Sequence, residues 1–304
     1  MILDIYEKCN DNDKCIGRWE RWEPHRQNIN KALFENILKR DKLQNALILG
    51  AGRCDDMDLK FLLDNIKHIT LVDYDYKSME DAIERQGLTA DEKQRITLKG
   101  QIEFTGFYNG DNIDIITKAM EKNEEEKKLV SDIINYIENI NHDLCSLLGD
   151  EKYQLVISGA VHSQLIVPFL ELAKADKKYM DEILRYIGHI ANIFAEKLNE
   201  NLLRLVQDEH YLLSYFDVME MSDRNNTMIF CSLLNGLLLQ GEYGKIEELL
   251  SRNSGVAGAR HGCNHLKQLA GQENYSENAW IWNYRDDKKY YVKCVSVKKT
   301  VDHN

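Results

Sequence analysis

The amino-acid sequence predicts an α/β protein with a doubly wound, mostly parallel sheet of seven strands. Short apolar runs alternate with segments of helical periodicity as far as residue 240, which is typical of parallel strands connected by helices. The first run ends in Gly50-Ala51-Gly52, a tight turn between a buried strand and a helix. Two strand-like runs close the chain at 279–285 and 290–298, which predicts a terminal antiparallel pair.

The individual elements follow in order from the same patterns. Apolar runs predict the earlier strands at 46–49, 68–73, within 95–105, 153–158 and 210–217. Helical periodicity predicts helices at 28–40, 58–65, 77–86, within 111–148, 179–207 and 227–239. Residues 251–278 show neither periodicity, so we expect them to be irregular.

This pattern predicts one main domain with a cap. We expect residues 1–42 to form a helical N-terminal cap and residues 43–304 to form the α/β domain. Within that domain, we interpret 107–150 and 226–278 as helical or irregular insertions near the substrate side.

Composition and charge disfavour several classes of function. The chain has 304 residues, 43% of them hydrophobic, which is enough for a large domain with a full core. No apolar run reaches about 18 residues and no signal-peptide pattern is present, so we expect no membrane segment. Seven cysteines without a CxxC pair indicate reduced thiols and a cytoplasmic location. A net charge of −11 disfavours nucleic acid as the substrate, because an acidic surface repels phosphates.

The glycine turn and an acid on the next strand together indicate an adenosine ligand. Glycines at positions 50 and 52 let the backbone approach a ligand at the start of a helix, where N–H groups are unpaired. Asp73 ends the second predicted strand, where a carboxylate can accept both hydrogen bonds of a ribose diol. The third glycine of the dinucleotide fingerprint is replaced by Asp55, which disfavours a nicotinamide cofactor.

Three segments, in their order and spacing, resemble motifs of the class I S-adenosylmethionine-dependent methyltransferases. Residues 47–56 are similar to the first motif of that family, 71–75 to the second, and 155–162 to the fourth-strand motif that faces the transferred methyl group. The resemblance covers about 45–298 and implies a Rossmann-like sheet with a reversed strand pair at one edge. It also implies that S-adenosylmethionine is the cofactor.

The resemblance assigns cofactor contacts to individual positions. The turn at Gly50, Ala51 and Gly52 would lie under the methionine moiety, and Asp73 would hold the ribose hydroxyls. The other cofactor contacts implied are Tyr74 and Glu103 at the adenine, Ser158 and Gly159 at the mouth, and Arg53, which is alternatively an exposed residue. In many members an N-terminal residue clamps the methionine carboxylate, and the candidates here are Arg18, Arg21, His25 and Arg26.

Candidates for chemistry on the methyl acceptor are fewer. His162 follows the fourth strand, where it could act as a general base, position the substrate, or be a structural histidine. Further candidates for substrate contacts are Arg26, Arg260 and His261. The segment 261–265 carries three metal-capable side chains without a companion cluster, so we expect no metal. Trp19 and Trp22, beside several arginines, form either a cation–π lid or an ordinary packing face.

The fourth-strand segment narrows the methyl acceptor. Residues 158–161 lack the Asn/Asp-Pro-Pro-Tyr/Phe motif of enzymes that methylate base amines or glutamine amides, which favours an oxygen acceptor. A hydroxyl needs a base, whereas a carboxylate needs only alignment and desolvation. The chain also resembles, loosely, stand-alone methyltransferases that tailor ribosomally made peptides. The expected acceptor is therefore a carboxylate, including a peptide C-terminus, or a hydroxyl, on a peptide or small molecule.

Two other classes of protein fit the same pattern of strand, glycine turn, strand and acid. One is an NAD(P)-dependent oxidoreductase, which would normally carry the third glycine and a second catalytic domain. The other is a non-catalytic module that binds an adenosine nucleotide. The sequence leaves both alternatives and the oligomeric state open.

Overall fold

Seven strands of the described residues form a single sheet at the centre of the molecule. The computed structural model describes residues 16–39, 42–108, 125–174, 177–253 and 255–300. The strands are β1 (Leu43–Leu49), β2 (Ile66–Val72), β3 (Ile96–Lys99), β4 (Tyr153–Gly159), β5 (Val206–Ser222), β6 (Tyr275–Arg285) and β7 (Lys288–Lys298). Their order is β3-β2-β1-β4-β5-β7-β6. Strands β1 to β5 pair in parallel, whereas β7 is antiparallel to both β5 and β6. The doubly wound fold and its reversed terminal pair are therefore confirmed.

Helices connect the strands and cover both faces of the sheet. In chain order they are α1 (Arg18–Arg21), α2 (Glu23–Leu33), α3 (Leu59–Asn65), α4 (Tyr76–Arg85), α5 (Ala90–Gln94), α6 (Glu126–Asn139), α7 (Leu144–Leu147), α8 (Val167–Lys174), α9 (Lys177–Leu205), α10 (Ile229–Gln240), α11 (Tyr243–Ser251) and α12 (Ala259–Ala270). A π-helical turn, Phe34–Leu38, extends α2. No helix among the described residues is long and apolar enough to cross a bilayer.

Alternating side chains of the buried strands enter two separate hydrophobic layers, one on each face of the sheet. On β1, Leu47 and Leu49 join the layer that contains α9 and α12, whereas Ala46 and Ile48 join the layer that contains α2, α3 and α4. This burial on both faces explains why the strands appear in the sequence as continuous apolar runs. The N-terminal helices share the second layer with the sheet, and the proposed boundary between cap and domain stays a prediction.

Local capping places the loops that follow β1 and β2. Asp58 accepts a hydrogen bond from the Phe61 N–H at 2.9 Å and begins α3. Asp75 accepts one from the Ser78 N–H at 3.0 Å and begins α4. These side chains satisfy N–H groups that a helix leaves unpaired in its first turn. The loops before them are therefore anchored at the carboxyl ends of the strands.

The expectation that residues 251–278 are irregular is wrong. Most of this range is helix α12 followed by the start of β6. Ala259, Cys263 and Leu266 are buried at helical spacing. The prediction missed this periodicity because Gly262 and the intervening polar residues make the apolar stripe weak. Helix α11 was also missed. Part of the helical region expected over 111–148 lies outside the described residues, and α6 and α7 occupy the remainder.

Candidate functional site

A pocket crosses the carboxyl ends of the parallel strands, where open α/β sheets bind their ligands. The loops after β1, β2, β3 and β4 contribute residues 50–56, 73–74, 102–104 and 159–161 to its lining. We call this cavity, of about 200 Å³, the strand-end pocket. It contains most of the positions that the resemblance assigned to the cofactor.

The glycine turn after β1 forms the floor of this pocket and requires glycine for steric reasons. Gly50 has a φ of +70°, and a Cβ atom there would lie 2.4 Å from Cγ2 of Val161 in the loop after β4. Gly52 has a φ of +45°, and its N–H donates a hydrogen bond to Oδ2 of Asp73 at 2.9 Å. The turn thus brings the loops after β1, β2 and β4 into contact.

Asp73 places a carboxylate at the edge of the pocket. Its Oδ2 accepts the Gly52 N–H and its Oδ1 accepts the Asp75 N–H, each at 2.9 Å. The backbone N–H of Tyr74 interacts with the same carboxylate, whose two oxygens can together accept about four hydrogen bonds, so the group keeps capacity for a ligand donor. Burial raises the pKa of Asp73 to about 6, because the charged form loses hydration. The carboxylate is therefore held in place and able to bind a diol.

Glu103, in the loop after β3, lies at the same end of the pocket. Its Oε1 accepts hydrogen bonds from the backbone N–H and the hydroxyl of Thr105, both at 2.7 Å. Its Oε2 is buried and has no hydrogen-bond partner among the described residues. Burial also raises the pKa of this carboxyl. An unpaired buried oxygen costs about 1–3 kcal/mol, which a ligand donor such as an amino group would recover.

Arginines surround Asp55 beside the glycine turn. Arg18 and Arg53 place nitrogens 3.5 Å and 3.8 Å from Oδ2 of Asp55, and Arg85 pairs with Oδ1. Arg26 donates a hydrogen bond to the backbone carbonyl of Asp55 at 2.7 Å. Arg18 and Arg53 also line the pocket. Asp56 interacts with Arg18 and Arg26 as well, so these arginines are shared between two neighbouring carboxylates.

Arg18 is the N-terminal candidate for the carboxylate clamp that the structure brings to the pocket. Arg21 instead donates a hydrogen bond to the Tyr284 carbonyl at 3.4 Å. The buried His25 accepts the indole N–H of Trp280 at 2.8 Å. Arg26 is buried with its guanidinium 3.5 Å from the centre of the Trp19 ring. Neither His25 nor Arg26 is part of the pocket lining.

Three aromatic rings form the opposite end of the pocket, and we call them the aromatic wall: Trp22, Trp282 and Tyr284. The centre of the Trp282 ring lies 4.6 Å from that of Trp22 and 5.2 Å from that of Tyr284, both edge-to-face. The buried Nε1 of Trp282 has no hydrogen-bond partner among the described residues. The sequence analysis missed Trp282 and Tyr284, although aromatic residues alternate at 280, 282 and 284.

The half-buried Asp56 and the buried Tyr215 form a pair beside the aromatic wall. The Tyr215 hydroxyl donates a hydrogen bond to Oδ2 of Asp56 at 2.6 Å, and Asp56 lines the pocket. A Cβ atom at Gly159 would lie 2.0 Å from this hydroxyl, so glycine on β4 makes room for the pair. Burial raises the pKa of Asp56 to about 6. The sequence analysis assigned no role to either member of the pair.

His162 does not line the pocket. Its ring is fully buried, 4.5 Å from the Phe216 ring, and its Nε2 is 2.9 Å from Oδ1 of Asn199. A Cβ atom at Gly262 would lie 2.7 Å from this ring, so α12 packs closely against it. Burial lowers the pKa of His162 to about 4. The structure thus places His162 between helices, and we do not carry it into the proposed chemistry.

The remaining sequence candidates also lie away from the strand-end pocket. Ser158 is fully buried within β4. Arg260 donates hydrogen bonds to the carbonyls of Leu250 and Asn253, after the end of α11. His261 pairs with Glu196 at 2.6 Å on the surface of α12. Within the described ranges, no group of three or more His, Cys, Asp or Glu side chains could hold a metal ion.

A larger cavity, of about 480 Å³, lies between α10 and the edge strand β6. Leu238, Tyr243 and Trp280 contribute to its lining, and none of the described residues around it is acidic. It therefore lacks a carboxylate that could accept charge-assisted hydrogen bonds from a ribose or an adenine amino group. We place the candidate site in the strand-end pocket, despite its smaller volume.

Comparisons with known proteins bear on the fold only. No family model and no curated protein matches this chain. Among solved structures, one similar to this chain is the N-methyltransferase NodS from Bradyrhizobium japonicum WM9 in complex with S-adenosylhomocysteine. It is 13% identical to this chain, and the alignment covers 98% of this chain and 97% of NodS, with a TM-score of 0.44. An O-methyltransferase from Bacillus cereus is 11% identical over 98% of this chain and 90% of its own, with a TM-score of 0.43.

A third similar structure is the magnesium protoporphyrin IX methyltransferase ChlM from Synechocystis PCC 6803. It is 11% identical over 91% of this chain and 84% of its own, with a TM-score of 0.41. All three scores lie below 0.5, so no functional conclusion is drawn from these likenesses. The architecture and the candidate site are those established above from the chain itself.

Proposed function

We propose that this chain is an S-adenosylmethionine-dependent methyltransferase whose cofactor binds in the strand-end pocket. One observation carries the proposal: Asp73 and Glu103 present acceptor oxygens beside the glycine turn, and Oε2 of Glu103 has no partner among the described residues. A ribose diol and an adenine amino group supply hydrogen-bond donors of the kind these oxygens accept. When bound, the cofactor supplies an electrophilic methyl group.

The chain's own residues divide the tasks of holding this cofactor. Asp73 would bind the ribose and Glu103 the adenine amino group, with Tyr74 beside the ring. The turn at Gly50–Gly52 would lie under the methionine moiety. Arg18 and Arg53, which already share Asp55, would bind the methionine carboxylate through charge-assisted hydrogen bonds.

The oxygen acceptor expected from the sequence is part of the same proposal. It is a carboxylate, including a peptide C-terminus, or a hydroxyl, and a cytoplasmic location is proposed with it. An NAD(P)-dependent oxidoreductase is not favoured, because Asp55 occupies the third glycine position and is engaged by arginines. The side chains around the aromatic wall help to decide which of these oxygen acceptors fits the pocket.

Calorimetric titration with S-adenosylhomocysteine and with NADH tests the proposed function. We expect S-adenosylhomocysteine to bind with a Kd in the low micromolar range or below, about −8 kcal/mol. We expect NADH to bind at least about a hundredfold more weakly, because Asp55 stands at the third glycine position of the dinucleotide fingerprint, where glycine lets the helix pack closely against the strand. Tight binding of NADH, or no binding of S-adenosylhomocysteine, would contradict the proposal.

A further inference from the structure

The order of the strands separates the two ends of the strand-end pocket. Asp73 follows β2, whereas Tyr215 belongs to β5 and lies opposite Gly159 of β4. A Cβ atom at Gly159 would lie 2.0 Å from the Tyr215 hydroxyl, so this hydroxyl is at β4, and the two ends are separated by the two strand spacings from β2 to β4, or about 10 Å. Asp56 is bound to Tyr215 and therefore lies at the end remote from Asp73. A cofactor anchored on Asp73 and the glycine turn would leave this end to the methyl acceptor.

The groups at this end combine apolar faces with a hydrogen-bond acceptor and a donor. The aromatic wall offers ring surfaces against which a flat molecule can pack. Asp56 offers a carboxylate, while Trp282 contributes an indole N–H without an acceptor among the described residues. A hydroxyl group matches both, because it donates one hydrogen bond and accepts another.

We propose that this end of the pocket binds an aryl hydroxyl compound as the methyl acceptor, with Asp56 as the proton acceptor and Tyr215 as the residue that positions Asp56. This inference rests on the proposed methyltransferase function and specifies its acceptor. It replaces His162, the candidate base of the sequence analysis, with a carboxylate that lines the pocket.

The proposed step balances in atoms and charge. The acceptor oxygen transfers its proton to Asp56 and forms a bond to the methyl carbon. The bond between that carbon and the cofactor sulfur breaks, and its electron pair stays on the sulfur. Asp56 then releases the proton to solvent and returns to the carboxylate form. General base catalysis of this kind contributes about 10²–10⁴ in rate.

The surroundings of Asp56 keep it ionised at neutral pH and accessible to a proton. The titratable and charged groups that face it are Tyr215 from β5, Cys54 and Asp55 from its own loop, Arg18 from α1 and Arg26 from α2. Burial raises the pKa to about 6, while the hydrogen bond from Tyr215 and the charge of Arg18 oppose this rise. A carboxylate acceptor would meet the like charge of Asp56 at this place, which favours the hydroxyl.

The test uses 4-methylphenol as the probe, on the full chain and three variants, because this phenol keeps its proton at neutral pH and its methylation therefore needs a base. Asp56→Asn removes the base, Tyr215→Phe removes its hydrogen-bond donor, and Asp217→Asn is a matched control. Asp217 is a buried carboxyl on β5, with its pKa raised by burial to about 7, and it does not line the pocket. Binding of S-adenosylhomocysteine is measured first by calorimetry. Binding of 4-methylphenol to that complex is then followed by tryptophan fluorescence, and its methylation by transfer of label from S-adenosylmethionine.

For the normal protein, we expect the rate and the affinity for 4-methylphenol to rise with pH through about 6, as Asp56 ionises. Asp56→Asn should remove this rise and lower kcat by roughly 10²–10⁴, with the Kd of S-adenosylhomocysteine changed less than about threefold. Tyr215→Phe should move the rise to higher pH and retain most of the maximal rate, because loss of its hydrogen bond raises the pKa of Asp56. Asp217→Asn should leave the profile unchanged.

Several outcomes would overturn this inference alone. They are an unchanged profile in Asp56→Asn, a rise that disappears in Asp217→Asn instead, and a protein that binds S-adenosylhomocysteine but neither binds 4-methylphenol nor methylates it with S-adenosylmethionine. Loss of S-adenosylhomocysteine binding in Asp56→Asn would also overturn it and assign Asp56 to the cofactor. If the normal protein fails to bind S-adenosylhomocysteine, the proposed function fails first and the inference with it.

Discussion

At the scale of the residue, Asp73 combines a structural role with a proposed role in binding. Its carboxylate accepts hydrogen bonds from the N–H groups of Gly52 and Asp75, which ties the loop after β1 to the loop after β2. The same residue lines the pocket, where it would bind the ribose. On this proposal, the side chain organises the site before any ligand arrives and would contact the ligand afterwards.

Replacement of Asp73 should affect both roles. We expect Asp73→Ala to weaken S-adenosylhomocysteine binding by about 1.5–3 kcal/mol, the value of charge-assisted hydrogen bonds to a buried hydroxyl. Its Tm should also fall by a few degrees, because two backbone N–H groups lose their acceptor. Asp73→Asn, which keeps one acceptor oxygen, should lose less stability.

Calorimetry and thermal unfolding measure these two effects separately. Asp91→Ala, at an exposed position on α5, provides a control that should change neither the Kd nor the Tm. Normal binding by Asp73→Ala would show that Asp73 is only a structural link between loops.

At the scale of the element, the contact between β4 and β5 sets the geometry of the strand-end pocket beside the aromatic wall. Gly159 of β4 lies opposite Tyr215 of β5, and only the missing side chain of Gly159 admits the Tyr215 hydroxyl. The hydroxyl then reaches Asp56 across the end of β4. A small residue at the end of one strand thus determines where a side chain of the next strand is placed.

Gly159→Ala tests this contact. The new Cβ atom would lie 2.0 Å from the Tyr215 hydroxyl, so the tyrosine must move, at a cost of about 1–3 kcal/mol in the free energy of unfolding. In a Tyr215→Ala background the same change should cost much less, and urea denaturation measures the coupling between the two. Gly188→Ala on α9, where nothing lies within 4 Å of the new atom, should be neutral or stabilising. Equal costs of Gly159→Ala in both backgrounds would contradict the account.

The elements predictable from sequence are those whose signal is local. Strands β1, β2 and β4 are buried on both faces and therefore appear in the sequence as apolar runs. The turn after β1 was predictable because its backbone conformation requires glycine. Helix α12 carries the same kind of local signal, because Ala259, Cys263 and Leu266 recur at helical spacing, but small side chains make its apolar stripe weak and the prediction missed it. The direction of His162, by contrast, was not predictable, since Ala160 has a φ of +49° and turns the chain after β4.

Asp56 illustrates what local patterns leave out. It was one acid among several after the glycine turn, and its position in the pocket depends on Tyr215, which lies far away in the sequence. Trp282 and Tyr284 reach the pocket only because the terminal hairpin packs against α1 and α2. Such long-range contacts have no signature in a single sequence.

At the scale of the whole molecule, the strand order creates one continuous site from distant segments. Strands β2 and β3 place Asp73 and Glu103 on one side of the glycine turn. On the other side, β5 places Tyr215, which binds Asp56, and β6 contributes Trp282 and Tyr284 to the aromatic wall. The central claim is that the cofactor lies along this line, with its adenosine on the side of β2 and β3.

A crystal structure of the protein with S-adenosylhomocysteine tests that claim most directly. We predict density in the strand-end pocket, with both ribose hydroxyls within about 3 Å of the Asp73 carboxylate. The adenine amino group should lie at a similar distance from Oε2 of Glu103, and the sulfur should be closer to Gly159 than the adenine is. Density in the cavity between α10 and β6 instead, or a ribose bound away from Asp73, would contradict the account.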